Sequence, residues 1–358
     1  MSERPDIKSM LLTELETYFE SIGERSFRAK QTFQWLHRGA PSFGVMTDLP
    51  EALRDRLAEE FCISVPVLSE KHVSKHDGTI KYLWSMDDGA AVECVIMEYE
   101  HGNTICISSQ VGCRMGCAFC ASAMGGLKRN LTAPEMVNQV LFSQIDSEKK
   151  LSNVVLMGIG EPLDNFDNLI RFLELLGHEF GLNIGARHIT VSTCGIIENI
   201  DKLAEYRIKC TLTVSLHSAD DETRSRLMPI NRDVGVDKLL ETCSRYFHKT
   251  GRRVSYEYAM IDGVNDTSRH AELLAVKLKN TESHLNLIPL SNVPERPFRG
   301  SSQERVNEFS KILRQKGVNC TIRRSLGGDI AASCGQLRGR SLAGDAQGIV
   351  YDPVVCED

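Results

Sequence analysis

Residues 104–120 read TICISSQVGCRMGCAFC, and three of the chain's cysteines crowd into the last eight of these residues. The opening residues, TICISS, have the apolar and β-branched character of a strand. Cys113, Cys117 and Cys120 follow in a glycine-containing loop, spaced by four residues and then by three. Thiolates are the soft ligands that iron–sulfur clusters and zinc prefer. The stretch therefore predicts a strand that leads into a metal-binding loop.

The number of ligands distinguishes two kinds of metal centre. Structural zinc normally takes four ligands, arranged as two pairs at short spacing. No second pair stands at zinc-finger spacing in this sequence. Three thiolates without a fourth ligand suit a [4Fe–4S] cluster whose fourth iron stays open for an external ligand. A zinc site completed by a distant Cys or His and a chance group of inert buried cysteines are the alternatives.

Strands and helices alternate from about residue 101 onward. The candidate strands are 104–109, 153–158, 188–193, 211–216, 253–259 and 284–289. Amphipathic stretches of helical length lie between them, at 133–145, 165–176, 235–248, 266–279 and 302–316. This alternation predicts an α/β fold, a parallel sheet with helices outside it. Ligands of such folds bind at the carboxyl ends of the strands, where the polar motifs of this chain also fall.

The N-terminal part of the chain has a different character. Leu12, Leu15 and Phe19 lie on one face of a helical pattern, and two similar segments follow before residue 65. Stretches such as AAVECVIMEYE then predict short strands that join two domains. The expected division is a helical domain at 1–65, a β linker at 66–100, a core at 101–345 and a C-terminal tail at 346–358.

Length and composition limit the classes of protein. The chain has 358 residues, of which 42% are hydrophobic and 25% are charged, as in a protein with a sizeable core. No apolar signal segment opens the chain, and no run is long enough to span a membrane. We therefore expect a cytoplasmic protein with reduced cysteines. The net charge of −6 argues against non-specific nucleic-acid binding but allows a local basic surface.

Several separated motifs together resemble one family. They are CISSQVGCRMGCAFC at 106–120, KRNLTAPEMVNQV at 128–140, MGIGEPLDN at 157–165, VSLHSADDETRSRLMPIN at 214–231 and GGDIAASCGQL at 327–337. The pattern CxxxCxxC at the start of a βα repeat resembles the radical S-adenosylmethionine (SAM) superfamily. The whole set is similar to its RNA adenine methyltransferases, both the adenine-C2 group with dual rRNA and tRNA specificity (RlmN-type) and a close C8 branch (Cfr-type). The resemblance covers essentially the whole chain.

The resemblance implies a fold and two cofactors. The fold is a partial (β/α)6, TIM-like radical SAM barrel with a small N-terminal helical domain. The three cysteines would hold a [4Fe–4S] cluster, whose open iron binds the methionine group of SAM. The family pattern Leu-Ile-Pro-x-Asn places its last contact at Ser291 or, one residue on, at Asn292. The implied SAM contacts are Gly160, Glu161, Ser192, Ser215, Leu216, His217 and Asn292, although strand-end polar residues of this kind also cap turns.

The resemblance also implies a two-stage methyl transfer. Cys334 accepts a methyl group from one SAM, and a radical made from a second SAM removes a hydrogen atom from that group. The resulting carbon radical adds to the adenine, and Cys106 then attacks the sulfur of Cys334 and leaves a disulfide. Glu93 matches a glutamate assigned as the proton acceptor, with Cys106 as the competing base. As single residues, both cysteines also fit buried apolar positions, and Glu93 fits a strand position paired with Lys or Arg.

The implied partners are 23S rRNA, tRNA and an electron donor such as flavodoxin or ferredoxin, and we expect a monomer without membrane contact. The target adenine must be unstacked to expose its ring carbon. Basic residues that could contact phosphates, or else form a solvated basic face, are Arg25, Arg28, Lys30, His37, Arg38, Arg323, Arg324, Arg338 and Arg340.

The expected activity is methylation of C2 of a specific adenine in 23S rRNA and in tRNAs, through S-methylcysteine and with two SAM per turnover. One alternative is C8 methylation of the same rRNA adenine, which confers antibiotic resistance. A non-catalytic zinc or redox module that binds ribosomes is a more distant alternative.

Overall fold

The computed structural model describes residues 4–100, 102–206, 208–338 and 340–341. Its strands are β1 (Val67–Val73), β2 (Ile80–Ser85), β3 (Ala90–Tyr99), β4 (Gly102–Cys106), β5 (Gln110–Gly112), β6 (Leu127–Asn130), β7 (Leu151–Leu156), β8 (Ile189–Thr193), β9 (Thr211–Ser215), β10 (Val254–Met260), β11 (Ser283–Pro289), β12 (Cys320–Ile322) and β13 (Arg340–Ser341). Its α-helices are α1 (Leu12–Ser21), α2 (Ser26–His37), α3 (Glu51–Glu60), α4 (Ala133–Ser147), α5 (Phe166–Gly177), α6 (Ile197–Glu205), α7 (Asp221–Leu227), α8 (Val236–Thr250), α9 (Ser268–Leu278) and α10 (Gln303–Gln315).

Parallel strands form the centre of the main sheet. β4, β7, β8, β9, β10, β11 and β12 lie side by side in this order, each parallel to the next. All but the last are the strands that the sequence predicts, and helices connect them. The predicted partial (β/α)6 barrel is therefore confirmed, and β12 extends it by a strand too short to show a pattern.

Amphipathic helices cover this sheet because their apolar residues recur at helical spacing. In α5 the buried side chains of Leu169, Phe172, Leu173 and Leu176 follow the i, i+3, i+4, i+7 pattern. The predicted helices all form, with ends that differ from prediction by a few residues. Helices α6 and α7 are additional to the predicted set.

The strands before β4 extend the same sheet. β1, β2 and β3 pair antiparallel in sequence order, and β3 pairs antiparallel with β4, with Val95 opposite Cys106. Cys94 and Ile96 of β3 pack into the main core, whereas Val95 and Met97 pack into a smaller apolar cluster on the other face. Because β3 is covered on both faces, seven of its ten residues, 91–97, are buried.

The N-terminal region is helical, as predicted, and contains α1, α2 and α3. Lys8 fixes this region to the barrel, since its ammonium donates hydrogen bonds to the Ser64 carbonyl at 2.7 Å and to Asn138 Oδ1 of α4 at 2.9 Å. Within the described ranges, no helix has the length and apolar character needed to cross a membrane. The predicted tail at 346–358 lies outside the described residues.

Candidate active site

A cavity of about 920 Å³, its open mouth included, lies at the carboxyl ends of the parallel strands. Ligand sites of parallel α/β folds lie at this end of the sheet. The topology therefore brings together residues that are far apart in sequence. The predicted site residues in its wall are Cys113, Cys117, Cys120, Gly160, Glu161, Ser192, Ser215, His217 and Cys334.

Cys113, Cys117 and Cys120 lie in the loop after β5 as partly buried, free thiols. Burial, helped by the neighbouring Cys120, raises the pKa of Cys113 to about 11 and that of Cys117 above the usual range of a thiol. Three close thiolates are therefore costly here without a cation, and a bound metal removes that cost. Among the residues that the structure describes, no three His, Cys, Asp or Glu side chains are close enough together to hold a metal ion as they stand. The donor set nevertheless fits an iron–sulfur cluster, because thiolates are its ligands.

The segment Gly160-Glu161-Pro162, called the GEP turn below, turns sharply at Gly160, whose φ is 104°. A Cβ at this position would stand 2.6 Å from the Cβ of Gln110, so only glycine fits. The turn places the buried carboxylate of Glu161 in the cavity wall. Its Oε1 accepts a hydrogen bond from the Leu163 N–H at 3.0 Å, and its Oε2 accepts one from the Cys194 N–H at 2.7 Å. Burial raises the pKa of this carboxyl, while these N–H groups oppose the rise and fix its orientation.

Polar residues at the ends of two neighbouring strands complete the wall. Ser192 of β8 and Ser215 of β9 line the cavity. His217 also lines it and accepts a hydrogen bond at Nδ1 from the Ala259 N–H at 2.9 Å, so its Nε2 carries the ring proton. Burial lowers the pKa of His217 to about 3, which keeps the ring neutral. Leu216 packs into the main core instead.

A second cavity, of about 560 Å³, adjoins the first. Cys334, Arg323 and Met157 line both cavities, and Cys106 lines the second. The two cysteines of the expected methyl-transfer cycle therefore share one cavity. Both are free thiols, so the expected disulfide is not supported by this structure. Burial, with a smaller effect of Cys334, raises the pKa of Cys106 to about 12, and Cys334 is exposed.

Comparison with known proteins assigns the family. Residues 107–274 match the Radical SAM superfamily, and residues 6–63 match the ribosomal RNA large subunit methyltransferase N-terminal domain. A probable dual-specificity RNA methyltransferase RlmN of Clostridium tetani (strain Massachusetts / E88) is 44% identical over 342 residues, which cover 96% of this chain and 98% of that protein. A relative of the same description from Lachnoclostridium phytofermentans is 48% identical over 339 residues, with coverage of 94% and 95%.

This chain belongs to the RlmN family of radical SAM RNA methyltransferases. A crystal structure of a radical SAM methyltransferase from Sphaerobacter thermophilus agrees, with 44% sequence identity, a TM-score of 0.88, and coverage of 93% of this chain and 99% of that chain. The predicted family and the prediction of an enzyme are thus confirmed. A [4Fe–4S] cluster and SAM are general features of the radical SAM superfamily, and the non-catalytic zinc module is set aside.

In this RlmN-family chain, Glu93 is not among the residues that line the two cavities. Its buried carboxylate lies 3.4 Å from the Lys81 ammonium through Oε1, and its Oε2 accepts a hydrogen bond from the Arg338 N–H. The lysine pairing anticipated for Glu93 as the alternative to a catalytic role is therefore present.

The neighbouring residues Ser291 and Asn292 occupy different environments. Ser291 lines the second cavity. Asn292 is exposed, and its carbonyl accepts a hydrogen bond from Gln336 Nε2 at 2.9 Å. The structure therefore brings Ser291, and not Asn292, to a cavity wall.

The basic residues predicted to contact RNA phosphates differ in how exposed they are. Arg25, Arg38 and Arg324 are exposed and remain open to a phosphate. His37 is buried against Phe33 with ring centroids 4.2 Å apart, so the expected phosphate contact is wrong for this residue.

The other predicted basic residues have partners within the chain or lie at the cavities. Arg28 pairs with Glu24, Lys30 lies over the Phe180 ring, and Arg338 pairs with Glu295. Arg323 lies between the two cavities, and the side chain of Arg340 lies outside the described residues.

Two buried charged residues at the site escaped the sequence reasoning. Arg224, within the quoted motif at 214–231, donates to the carbonyls of Cys194 and Ser215, at 2.8 and 3.0 Å, and thereby joins two strand ends. Glu257 lines the first cavity from β10. A lone carboxylate in the apolar stretch VSYEYAM is the signal that could have found it, because buried charges need a specific reason.

Proposed function

We propose that this enzyme methylates C2 of a specific adenine in 23S rRNA and in tRNAs, through a methyl group carried on Cys334, and consumes two SAM per turnover. One observation carries the proposal: Cys334 lines both cavities, one with the three clustered cysteines and the other with Cys106. A methyl group on the Cys334 sulfur would therefore lie where the two cavities meet. The relatives' description as dual-specificity RNA methyltransferases supports the substrate class.

The first cavity would hold the cofactors. The three clustered cysteines would bind a [4Fe–4S] cluster, which with SAM supplies the methyl group and the one-electron chemistry. Glu161 is suited to accept hydrogen bonds from the SAM ammonium, because its carboxylate is buried and oriented by backbone N–H groups. His217 can donate from Nε2 as a neutral ring, and Gly160, Ser192 and Ser215 shape the same wall.

The thiols act in sequence on this proposal. The Cys334 thiolate accepts the methyl group and later carries the adenine. Cys106, rather than Glu93, accepts the C2 proton, because Cys106 shares a cavity with Cys334 and Glu93 is held by Lys81. As the adduct radical loses this proton, the one-electron chemistry of the cofactors would take up its unpaired electron. Cys106 then passes the proton to the methylene carbon and, as a thiolate again, attacks the Cys334 sulfur; the bond from that sulfur to the carbon breaks with its electron pair on the carbon, which becomes the methyl group, and a disulfide forms. A dithiol reductant restores both thiols.

The N-terminal helical region, at 1–65, is proposed as an accessory RNA-binding domain joined through 66–100 to the core at 101–345. Its match to an N-terminal domain of rRNA methyltransferases supports this role. Arg25 and Arg38 offer exposed cations to phosphates. A flavodoxin or ferredoxin is the proposed electron donor, and the enzyme is proposed to act as a monomer.

Mass spectrometry of RNA tests the regiochemistry. Anaerobically reconstituted protein is incubated with SAM, reductant and an rRNA fragment or tRNA, and the nucleosides are compared with 2-methyladenosine and 8-methyladenosine standards. We expect 2-methyladenosine only, and a Cys117→Ala variant that lacks both cluster absorbance and product. Detection of 8-methyladenosine alone would replace the proposal by the C8 alternative.

A further inference from the structure

Arg323 occupies the junction of the two cavities. The residue follows β12, and its backbone N–H donates to the Leu287 carbonyl at 2.8 Å, which fixes the chain beside β11. Its guanidinium contributes to the walls of both cavities and donates from NH1 to Met157 Sδ at 3.4 Å. Cys334 lines the same two cavities. A permanent positive charge therefore stands where the exposed Cys334 thiol meets the rest of the site.

Glu257 forms a long ion pair with this guanidinium but no hydrogen bond to it. Glu257 Oε2 lies 4.0 Å from Arg323 NH1, beyond hydrogen-bond distance, and is a buried oxygen without a hydrogen-bond partner among the described residues. Its Oε1 accepts a hydrogen bond from Asn286 Nδ2 at 2.9 Å. Bidentate pairing would occupy the guanidinium donors, and its absence leaves the cation available to another anion.

We propose that Arg323 is a positioning residue that stabilises the thiolate form of Cys334 and so prepares it for methyl transfer. This inference rests on the proposed role of Cys334 as methyl carrier. The thiol first loses its proton to solvent. The sulfur then forms a bond to the methyl carbon while the bond between that carbon and the SAM sulfonium breaks, and the electron pair stays on the departing sulfur. The product is a neutral thioether, so the favourable contact with the guanidinium is lost after transfer.

The charges around Cys334 support the selection of this thiol over Cys106. In the second cavity the titratable groups that face it are Arg323, Arg324, Cys106 and Tyr99. In the first cavity they are Arg323, Glu257, Glu161, His217 and the three clustered cysteines. Arg323 and Cys334 line both cavities together, and the interaction with Cys334 is the largest cause of the raised pKa of Arg323. Arg323 also lowers the pKa of Cys106, but burial outweighs this effect and the pKa of Cys106 rises to about 12. The cation therefore does not overcome the burial of Cys106, whereas Cys334 at the same junction is exposed.

The pH dependence of alkylation tests this role without SAM, RNA or electron transfer. The anaerobic, cluster-loaded full chain is treated with iodoacetamide from about pH 6 to about pH 10, and alkylation of the Cys334 peptide is measured by mass spectrometry. A nearby cation lowers a thiol pKa by about 1–3 units, so Arg323→Met should slow alkylation near neutral pH by about tenfold or more. The rates of the wild type and the variant should converge at alkaline pH.

Three controls separate this effect from unfolding and from general charge. Arg323→Lys keeps the cation and should recover most of the wild-type rate. Arg324→Met removes an exposed cation that lines the second cavity but not the first, and it should slow alkylation of Cys334 much less than Arg323→Met does. The Cys94 peptide reports unfolding in each sample, because this thiol is 0% exposed in the folded chain.

Two results would overturn the inference. One is a wild-type profile for Cys334 with its midpoint at or above about 8.5, the value of an ordinary thiol. The other is an equal slowing by Arg323→Met and Arg324→Met. If the wild type methylates RNA but Arg323→Met leaves the alkylation profile unchanged, only the role of Arg323 is rejected. If Arg323→Met shifts the profile but the wild type yields no methylated RNA, only the proposed function is rejected.

Discussion

Arg224 holds a guanidinium inside the protein, with a side chain that is only 1% exposed. It donates to the carbonyls of Leu216, Cys194 and Ser215 and to Asn231 Oδ1. Four acceptors therefore depend on one side chain, and three of them are carbonyls at or just beyond the ends of strands that carry cavity residues. Burial lowers the pKa of Arg224, but an arginine remains charged in this range.

Replacement of Arg224 by Met should therefore destabilise the protein strongly. The variant leaves several buried acceptors without donors, and each such group costs about 1–3 kcal/mol, so we expect a loss of about 3–5 kcal/mol in the free energy of unfolding. Urea denaturation followed by circular dichroism measures it. Arg226→Met, in the same helix but exposed, should change stability by less than about 0.5 kcal/mol. Equal effects of the two substitutions would contradict this account of Arg224.

His37 and His217 should make stability depend on pH in mildly acidic solution. Burial is the main cause that lowers the pKa of each to about 3, so both stay neutral in the folded protein while the unfolded chain binds protons below about pH 6.5. The unfolded state then binds more protons, and the free energy of unfolding falls as pH decreases. Between about pH 6.5 and about pH 5, the loss is about 1.5 kcal/mol for each histidine.

His37→Leu tests this sign because it removes one titrating ring far from the cavities. Urea denaturation at the two ends of that pH range should give a difference that is smaller than in the wild type by about 1.5 kcal/mol. The variant itself also loses packing against Phe33, so the slope and not the absolute stability is the measure. An unchanged slope would show that His37 is protonated in the folded state.

At the scale of elements, the connection between β7 and α5 depends on Gly160. Its φ of 104° is strained for any other residue, and an added Cβ would meet the Gln110 backbone nitrogen at 2.8 Å. Gly160→Ala should therefore displace the Glu161 carboxylate, cost about 1–3 kcal/mol of stability and weaken SAM binding. Isothermal titration of the reconstituted protein with SAM and urea denaturation measure the two effects.

Gly185 provides the matched control for this substitution. Its φ is −61° and a Cβ there meets nothing within 4 Å. Gly185→Ala should leave SAM affinity unchanged. It should change the free energy of unfolding by no more than about 1 kcal/mol, and in the stabilising direction, because alanine restricts the unfolded chain. Loss of SAM binding in both variants would indicate that backbone stiffening in general, and not the position of Glu161, is responsible.

Most elements with a strong hydrophobic period could be predicted from the sequence, and elements held by local contacts could not. Helix α6 is an exception, because it was not predicted although Ile200, Leu203 and Ala204 are buried at helical spacing. The apolar runs of β7 to β11 and the stripe of α5 report burial directly. Helix α7 has the sequence DETRSRL and buries only Arg224 and Leu227. Its start is fixed by Asp220, whose carboxylate accepts a hydrogen bond from the Thr223 N–H at 2.7 Å. Capping of this kind leaves little trace in a periodicity.

The site shows the same division between what a pattern contains and what only packing decides. The spaced cysteines and the GEP turn are visible in the sequence, and they form part of the wall of the first cavity. The environment of Glu93 depends on Lys81 and on the chain at Arg338, which approach it only in the folded structure. The difference between Ser291 and Asn292 likewise depends on which side of one short segment faces the second cavity.

At the scale of the whole molecule, buried thiols should make the protein sensitive to alkali. Cys94, Cys210 and Cys243 lie in the main core, remote from the two cavities and at most 2% exposed. Burial raises the pKa of Cys94 and Cys243 to about 12 and that of Cys210 to about 11. Their folded pKa values lie above the unfolded values, so their stabilising contribution is complete below about pH 8.5 and is lost as pH rises.

The size of the effect follows from the number of groups. Between about pH 8.5 and about pH 10, each of these thiols costs the folded state about 1.5 kcal/mol, because the unfolded chain releases protons that the folded chain retains. Lys8 acts in the opposite sense, since burial lowers its pKa to about 8 and the folded chain releases its proton first. Three thiols outweigh one lysine, so the free energy of unfolding should fall over this range.

Stepwise removal of the thiols separates their contribution from other alkaline effects. Cys94→Ala, the double variant with Cys243→Ala and the triple variant with Cys210→Ala should each reduce the loss of stability between these pH values by about a further 1.5 kcal/mol. Urea denaturation is measured under reductant at about pH 8.5 and about pH 10, and each variant is compared with itself because the lost packing lowers stability at both values. A slope that stays the same in the triple variant would mean that these core thiols ionise within the folded protein, which would require the sheet and helices around them to open to water before the chain unfolds.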